Sequence, residues 1–289
     1  MEAKRFTPAQ RQALTALLDD PSPAVRAALL DEFARHGRES VDLLRELAHR
    51  PNRMLAPHAA RFLRELNLPD PVGEFRGFIR SLNYELETGA LLLSRTVNPD
   101  LDVGACCTQL DALAVRCREL IAEPASAREK CRVLNRVLFH EYGLHGNADN
   151  YTDPLNSYLD QVLARRKGIP VSLSIIYLLV AERIGLQLEA VALPGHFMVG
   201  CYEERVPFFI DPFNAGVFLS AGEVFMLLRQ NCGSASLADL APTPVREVLC
   251  RCCRNLANHY SAAHEPGHAR LFAGFAAEFE STHARHAQP

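Results

Sequence analysis

The chain has 289 residues, 48% hydrophobic and 22% charged, with 16 Gly and 18 Pro, an ordinary globular composition with room for one large core or two smaller ones. Its net charge of −3 leaves no basic footprint for nucleic acid or an anionic membrane surface. No window approaches the 18 or so uncharged apolar residues that a membrane-spanning helix needs. Nine cysteines is an odd number, and Met1-Glu2-Ala3-Lys4-Arg5-Phe6 has no apolar signal region, so the expectation is free thiols in a reducing cytoplasm.

In chain order, residues 6–67 read as helical. Leu14, Leu17 and Leu18 make a first stripe, and Pro21-Ser22-Pro23 breaks it, with Ser22 a candidate N-cap and Pro23 at N1. Val25, Ala28, Leu29 and Phe33 form the next stripe, closed by Gly37. Ser40 is expected to start a third helix, carrying Val41, Leu44 and Leu47. A fourth after Pro51 carries Ala59, Phe62, Leu63 and Leu66. Pro21 and Pro51 are 30 residues apart, which resembles two degenerate repeats of the HEAT kind. Two repeats are too few to bury a continuous core, so a plain helical cap is preferred over a partner-binding solenoid. Leu68-Pro69-Asp70-Pro71-Val72-Gly73 cannot continue a helix and sets the expected boundary between domains 1–70 and 71–289.

Residues 74–145 return to helical spacing, and 147–156 is polar and turn-rich. Ser157 is expected to cap a helix with Asp160 at N3 and Gly168 past its end. Ile169-Pro170-Val171-Ser172 is expected to open a helix whose residues Leu173 to Ala181 are apolar all round, as in a buried central helix, and Gly185 ends it. Three strands are expected: Leu186–Leu193, His196–Cys201 and Val206–Phe213. A turn centred between Glu203 and Glu204 makes antiparallel partners sum to 407. His196 and Asp211 then face each other directly, with Cβ atoms about 4.5–5.5 Å apart. An aspartate there can fix the tautomer of the imidazole, the orienter's role in a triad, or form a structural ion pair at a sheet end. Cys201, five residues from His196, should face the other way.

Four separated motifs carry a resemblance. They are Asn156-Ser157-Tyr158-Leu159-Asp160-Gln161-Val162-Leu163, Arg166-Lys167-Gly168-Ile169-Pro170-Val171-Ser172-Leu173-Ser174, Leu193-Pro194-Gly195-His196-Phe197 and Ile210-Asp211-Pro212-Phe213. Together they resemble the bacterial SirB-type branch of the transglutaminase-like superfamily, over roughly residues 75–260. The resemblance implies an α+β fold: a helical N-terminal region, a papain-like core with a central helix on an antiparallel sheet, and a helical C-terminus. It also implies a Cys-His-Asp site, to which His196 and Asp211 correspond. Family members commonly read Gly-x-Cys, the cysteine 15 residues before the glycine that ends the helix. Counting back from Gly185 lands on Pro170, so the nucleophile position holds a proline.

The expectation is therefore a degenerate site that binds a peptide or protein partner. The alternative is a Ser-His-Asp hydrolase or acyltransferase acting on amide or ester bonds, with Ser172 as nucleophile, His196 as base and Asp211 as orienter. A hydroxyl at a helix start is more often a cap. Ser174 more plausibly bonds back to a carbonyl. No cofactor motif occurs. Cys250-Arg251-Cys252-Cys253 with His259, His264 and His268 fits no standard zinc spacing and reads as an apolar helix stripe, so no metal is expected.

Overall fold

The computed structural model describes residues 6–49, 54–66, 70–232 and 236–286. The chain divides into two compact units, Met1–Asp70 and Pro71–Pro289.

The first unit is helical: α1 Pro8–Ala16, α2 Pro23–His36, α3 Arg38–His49 and α4 Ala56–Leu66. A capping box closes the start of α1, in which Thr7 and Gln10 satisfy each other's backbone N–H groups. Ser22 precedes α2 but makes no side-chain cap bond. Gly37, at φ +49°, lets α3 follow α2 directly, so α3 starts two residues before Ser40, which is buried within it. Leu29, Phe33, Leu44, Ala59 and Phe62 fill this unit's core.

The second unit opens with α5 Pro71–Ser81, α6 Leu86–Arg95, α7 Val103–Leu120 and α8 Ala127–Asn135, the last running into a π-helical turn, Arg136–Glu141. Then come β1 His145–Gly146, a 3₁₀ turn Pro154–Ser157, α9 Leu159–Arg165, β2 Lys167–Gly168 and α10 Pro170–Arg183. The strands β3 Glu189–Leu193, β4 His196–Cys201, β5 Phe208–Asp211 and β6 Val217–Ser220 form one antiparallel sheet in that order. α11 Ala221–Cys232, α12 Val245–Ala262 and α13 Pro266–His286 complete the unit. The observed fold is mostly helical with a small antiparallel sheet, an α+β arrangement.

α10 is the axis of this unit. Every residue from Pro170 to Ala181 is buried. Buried Val, Leu and Ile side chains contribute about 1.5–3 kcal/mol each, so the predominantly apolar sequence from Val171 to Ala181 fixes the place of α10 inside the core. The sheet has two faces, set by alternation. Phe197, Val199, Cys201, Phe208 and Ile210 join the main core with α10, whereas Val191, Leu193, Met198 and Phe209 pack with Val224 and Leu228 of α11.

Several local expectations are corrected. Tyr158, not Ser157, is the N-cap of α9, because Ser157 is already the last residue of a 3₁₀ turn. Arg166 in the left-handed region ends α9, and Gly168 instead pairs in parallel with Gly146. β3 and β5 are shorter than expected: Pro207 cannot donate to the ladder, and Pro212 starts a 3₁₀ turn. β6 is a strand the sequence pattern did not reveal. α13 stays helical through His286, with Thr282 buried. Among the described residues no helix is long and apolar enough to cross a membrane.

Candidate functional site

β4 and β5 carry His196 and Asp211, and their register differs from the expected one. Val199 pairs with Ile210 and Cys201 with Phe208, so partners sum to 409 rather than 407. The longer connection through Pro207 accounts for the shift. It is a shift of two, so the parity of the pleat is kept and both side chains stay on one face as diagonal neighbours. His196 Nε2 lies 2.7 Å from Asp211 Oδ2.

Asp211 is almost fully enclosed, with its side chain 5% exposed. Oδ1 accepts from the backbone N–H groups of Phe213 and Asn214, at 3.0 and 3.3 Å. Oδ2 accepts from the Asn214 side-chain amide at 2.7 Å as well as facing His196. Burial alone pushes this carboxyl up, but the hydrogen bond and charge of His196 and the bonds from Asn214 outweigh it and hold it below the usual range. A carboxylate held ionised among donors requires Nε2 of His196 to carry its proton. In the neutral ring Nδ1 is then the acceptor, left for another partner.

A cavity of about 360 Å³ opens beside this pair. His196, Asp211 and Asn214 line it together with Pro170 at the start of α10, Tyr151 of the polar loop, Phe213, and Leu227 and Leu228 of α11. The structure thus brings His196, Asp211 and Pro170 to one cavity. Proline supplies neither a nucleophilic atom nor a backbone N–H. None of the eight described cysteines lines this cavity. Cys201 lies on the α10 face, opposite His196, and burial raises its thiol pKa.

Ser172 is elsewhere. Its Oγ donates to the Asn156 carbonyl at 2.6 Å and accepts from the Ile169 N–H at 3.1 Å, and it lines a separate, nearly closed space with Ser157 and Cys252. Its hydroxyl therefore closes the first turn of α10 from the N3 position and does not face His196. Ser174 is fully buried, and its Oγ has no hydrogen-bond partner, contrary to the expected bond to a carbonyl.

Three further residues shape the site. Asn147 donates to Asn156, and Asn156 donates to the Asn150 carbonyl, which folds the 147–156 loop onto α10 and brings Tyr151 to the cavity rim. Tyr151 packs edge-on against Phe213 at 6.1 Å and against His259 at 6.0 Å. Gly146 must be a glycine, since a Cβ there would meet the Phe213 ring at 2.6 Å and its carbonyl at 2.8 Å. Sequence reasoning missed Tyr151 and Asn214 as site residues. The Asp-Pro-x-Asn turn was the available signal for Asn214, because an Asx side chain after proline commonly bonds within its own turn.

Cys250, Cys252 and Cys253 are buried in α12. Burial pushes the Cys252 thiol up to about 12 and Cys250 to about 11. Among the described residues no three His, Cys, Asp or Glu side chains converge as a metal site would require. His259 is 5% exposed with Nδ1 unpartnered, and burial lowers its pKa against the opposing charge of Asp153.

Comparison with known proteins rests on these elements. A model of the transglutaminase-like superfamily matches residues 104–254, a span running from α7 through the sheet into α12. The chain belongs to the transglutaminase-like superfamily. A HEAT-repeat model matches residues 11–83. Over 182 residues the chain is 38% identical to a UPF0162 protein of Xylella fastidiosa, covering 61% of this chain and 65% of that protein. A UPF0162 protein of Vibrio cholerae is 29% identical over 134 residues, 46% of this chain and 50% of that protein. F-box only protein 21 of Mus musculus is 36% identical over 131 residues, 43% of this chain but 20% of the mouse protein. The match thus spans about two thirds or less of the length of these relatives. No solved structure matches the chain. Within the transglutaminase-like domain the matched span contains Pro170, Ser172, His196 and Asp211.

Proposed function

We propose that this is a SirB-type transglutaminase-like protein whose Cys-His-Asp site is degenerate, and that it uses the His196/Asp211 cleft to bind a peptide or protein partner in the cytoplasm. The observation that carries this reading is Pro170 lining the cavity beside His196. A nucleophile at a helix start supplies both an attacking atom and, through its own N–H, a donor to the developing oxyanion. Proline removes both. What remains is a recognition pocket: a fixed His–Asp pair, an imidazole Nδ1 acceptor, and an apolar rim in which Tyr151 is 39% and Leu227 37% exposed. The eight described cysteines are free thiols, which fits a reducing compartment. The Ser172 hydrolase reading finds no support in the geometry, since the Ser172 hydroxyl is committed to the Asn156 carbonyl.

The test is selection of a random dodecapeptide display library on the full chain. The cleft reading expects enriched peptides whose binding falls at least tenfold with Tyr151→Asp or Leu227→Asp and whose mass is unchanged after prolonged incubation. Cleavage or modification of a bound peptide that stops with His196→Ala would overturn it. So would labelling of Ser172 by a fluorophosphonate that His196→Ala abolishes.

A further inference from the structure

A second cavity, of about 540 Å³, lies at the other end of α10 and shares no lining residue with the His196 cleft. Its floor is apolar. Leu178, Leu186 and Val248 are buried there, and Leu86, Leu188 and Val245 are half-buried. Its rim carries Glu85, Glu182 and Glu189, all exposed, and no lysine or arginine lines it. Glu85 turns both oxygens to the N–H groups of Glu87 and Thr88 at the start of α6. The side chains of Glu182 and Glu189 form no ion pair or hydrogen bond with the described residues. Arg183 pairs with Glu87 and Asp111, and Arg246, 3.4 Å from Glu247, is close enough for its charge to act on Tyr84 of the lining.

These features set the sign of the field in the groove. The C-terminal end of α10, where Glu182 and Gly185 reach the cavity, adds a negative helix pole to Glu182 and Glu189. The positive N-terminal ends of α6 and α12, at Glu85 and Val245, oppose it, the first of them capped by Glu85. An acidic segment, a nucleic acid or an anionic bilayer is repelled, and a wholly apolar segment leaves the rim charges unanswered. The floor presents apolar surface for a large side chain, and the hydroxyls of Tyr84 and Thr243 in the lining are already bonded to the Ile79 carbonyl and the Ala192 N–H. We infer that this groove docks a partner segment in which an apolar residue is flanked by lysines or arginines. The apolar side chain enters between Leu178, Leu188 and Val248, and the flanking cations reach Glu182 and Glu189. This surface is independent of the His196 cleft and of any chemistry there.

The same dodecapeptide library on the full chain tests it. The expected result is a class of enriched peptides carrying Lys or Arg on both sides of Leu, Ile, Phe or Met. Their binding, read by fluorescence anisotropy, falls at least tenfold with Glu182→Lys/Glu189→Lys and at least fivefold with Leu188→Gln, which leaves the charges in place. It also falls at least fivefold between 50 and 300 mM salt, and is unchanged by Leu227→Asp at the cleft. Circular dichroism melts confirm that each variant folds. Absence of such a class overturns the inference. So does enrichment of acidic or uncharged peptides, binding that both groove variants leave intact, or loss with Leu227→Asp. A full-chain dimer in sedimentation that Glu182→Lys/Glu189→Lys dissociates would make the occupant a second copy and overturn it too. The cleft peptides are those lost with Tyr151→Asp or Leu227→Asp, so either surface can fail without the other.

Discussion

The two ends of α10 face cavities of opposite character. At the N-terminal end the polar groups answer one another: Asp211 accepts from His196, Phe213 and Asn214, and Ser172 ties Ile169 to Asn156. At the C-terminal end the carboxylates of Glu182 and Glu189 have no hydrogen-bond or ion-pair partner among the described residues. A buried charge or hydroxyl without a partner is expensive, so the Asp211 carboxylate and the Ser172 hydroxyl are paired within the chain, whereas exposed carboxylates can wait for a partner. Removing a polar group should therefore harm the fold at the first end and leave it nearly untouched at the second.

Asp211→Ala is the strongest test of that difference. It strands the imidazole N–H, the Asn214 amide and two backbone N–H groups in a site where the carboxylate was 5% exposed. The expected loss is about 3 kcal/mol in urea unfolding at pH 7, from unpaired donors and a lost charged acceptor. The sign with pH follows from the lowered pKa of Asp211. Its contribution is complete above the ordinary carboxylate value near 3.9 and fades as pH falls through the depressed folded value. The gap between wild type and Asp211→Ala should thus be constant from pH 5 to 7 and narrow below about pH 4. A gap that does not change with pH would remove the ionised carboxylate from the account.

Ser172→Ala comes next, at about 2 kcal/mol, because the Asn156 carbonyl and the Ile169 N–H both lose their buried partner. The same variant separates scaffold from chemistry. Thermal melting should shift while binding at the cleft, measured on the folded fraction, stays within twofold.

How far the sequence revealed these two ends depended on how each is built. The burial of α10 was legible because Leu173 to Ala181 is apolar on every face of the helix, with Ser174 the one small hydroxyl among them. The sharing of a face by His196 and Asp211 was legible for a similar reason. Phe197, Val199 and Cys201 must face α10, so any permissible register shifts by an even number. The register itself was not legible, because Pro207 delays the start of β5 and a proline's effect on turn length is not written in periodicity. Tyr151 and Asn214 escaped because loop residues reach a site through contacts distant in sequence, here the bond between Asn147 and Asn156 and the close approach of Gly146 to Phe213. The acidic groove escaped altogether. Glu85, Glu182 and Glu189 are spread over three elements, and only the fold gathers them.

His259 offers a smaller, pH-dependent contrast near the N-terminal end. It is buried against Tyr151 with Nδ1 unpartnered, and burial lowers its pKa. The unfolded chain then takes up a proton near pH 6.5 that the folded chain resists, so stability falls as pH drops below that value. The slope from this one group cannot exceed about 1.4 kcal/mol per pH unit. His259→Phe should leave stability at pH 7.5 within about 1 kcal/mol of wild type and reduce the slope between pH 6.5 and 5. An unchanged slope would mean that His259 charges freely in the folded state.

The smallest effect belongs to the groove. Glu182→Gln/Glu189→Gln removes two exposed charges whose side chains have no hydrogen-bond or ion-pair partner among the described residues, so no folded-state bond is lost there. Neutralising them also relieves their unfavourable placement beside the negative end of α10. The melting temperature should stay the same or rise, corresponding to a change within about 0.5 kcal/mol, and any rise should shrink in high salt as the field is screened. A clear loss of stability would mean that these carboxylates hold the fold together as Asp211 does. The distinction between an end completed from within and an end left open to a partner would then collapse.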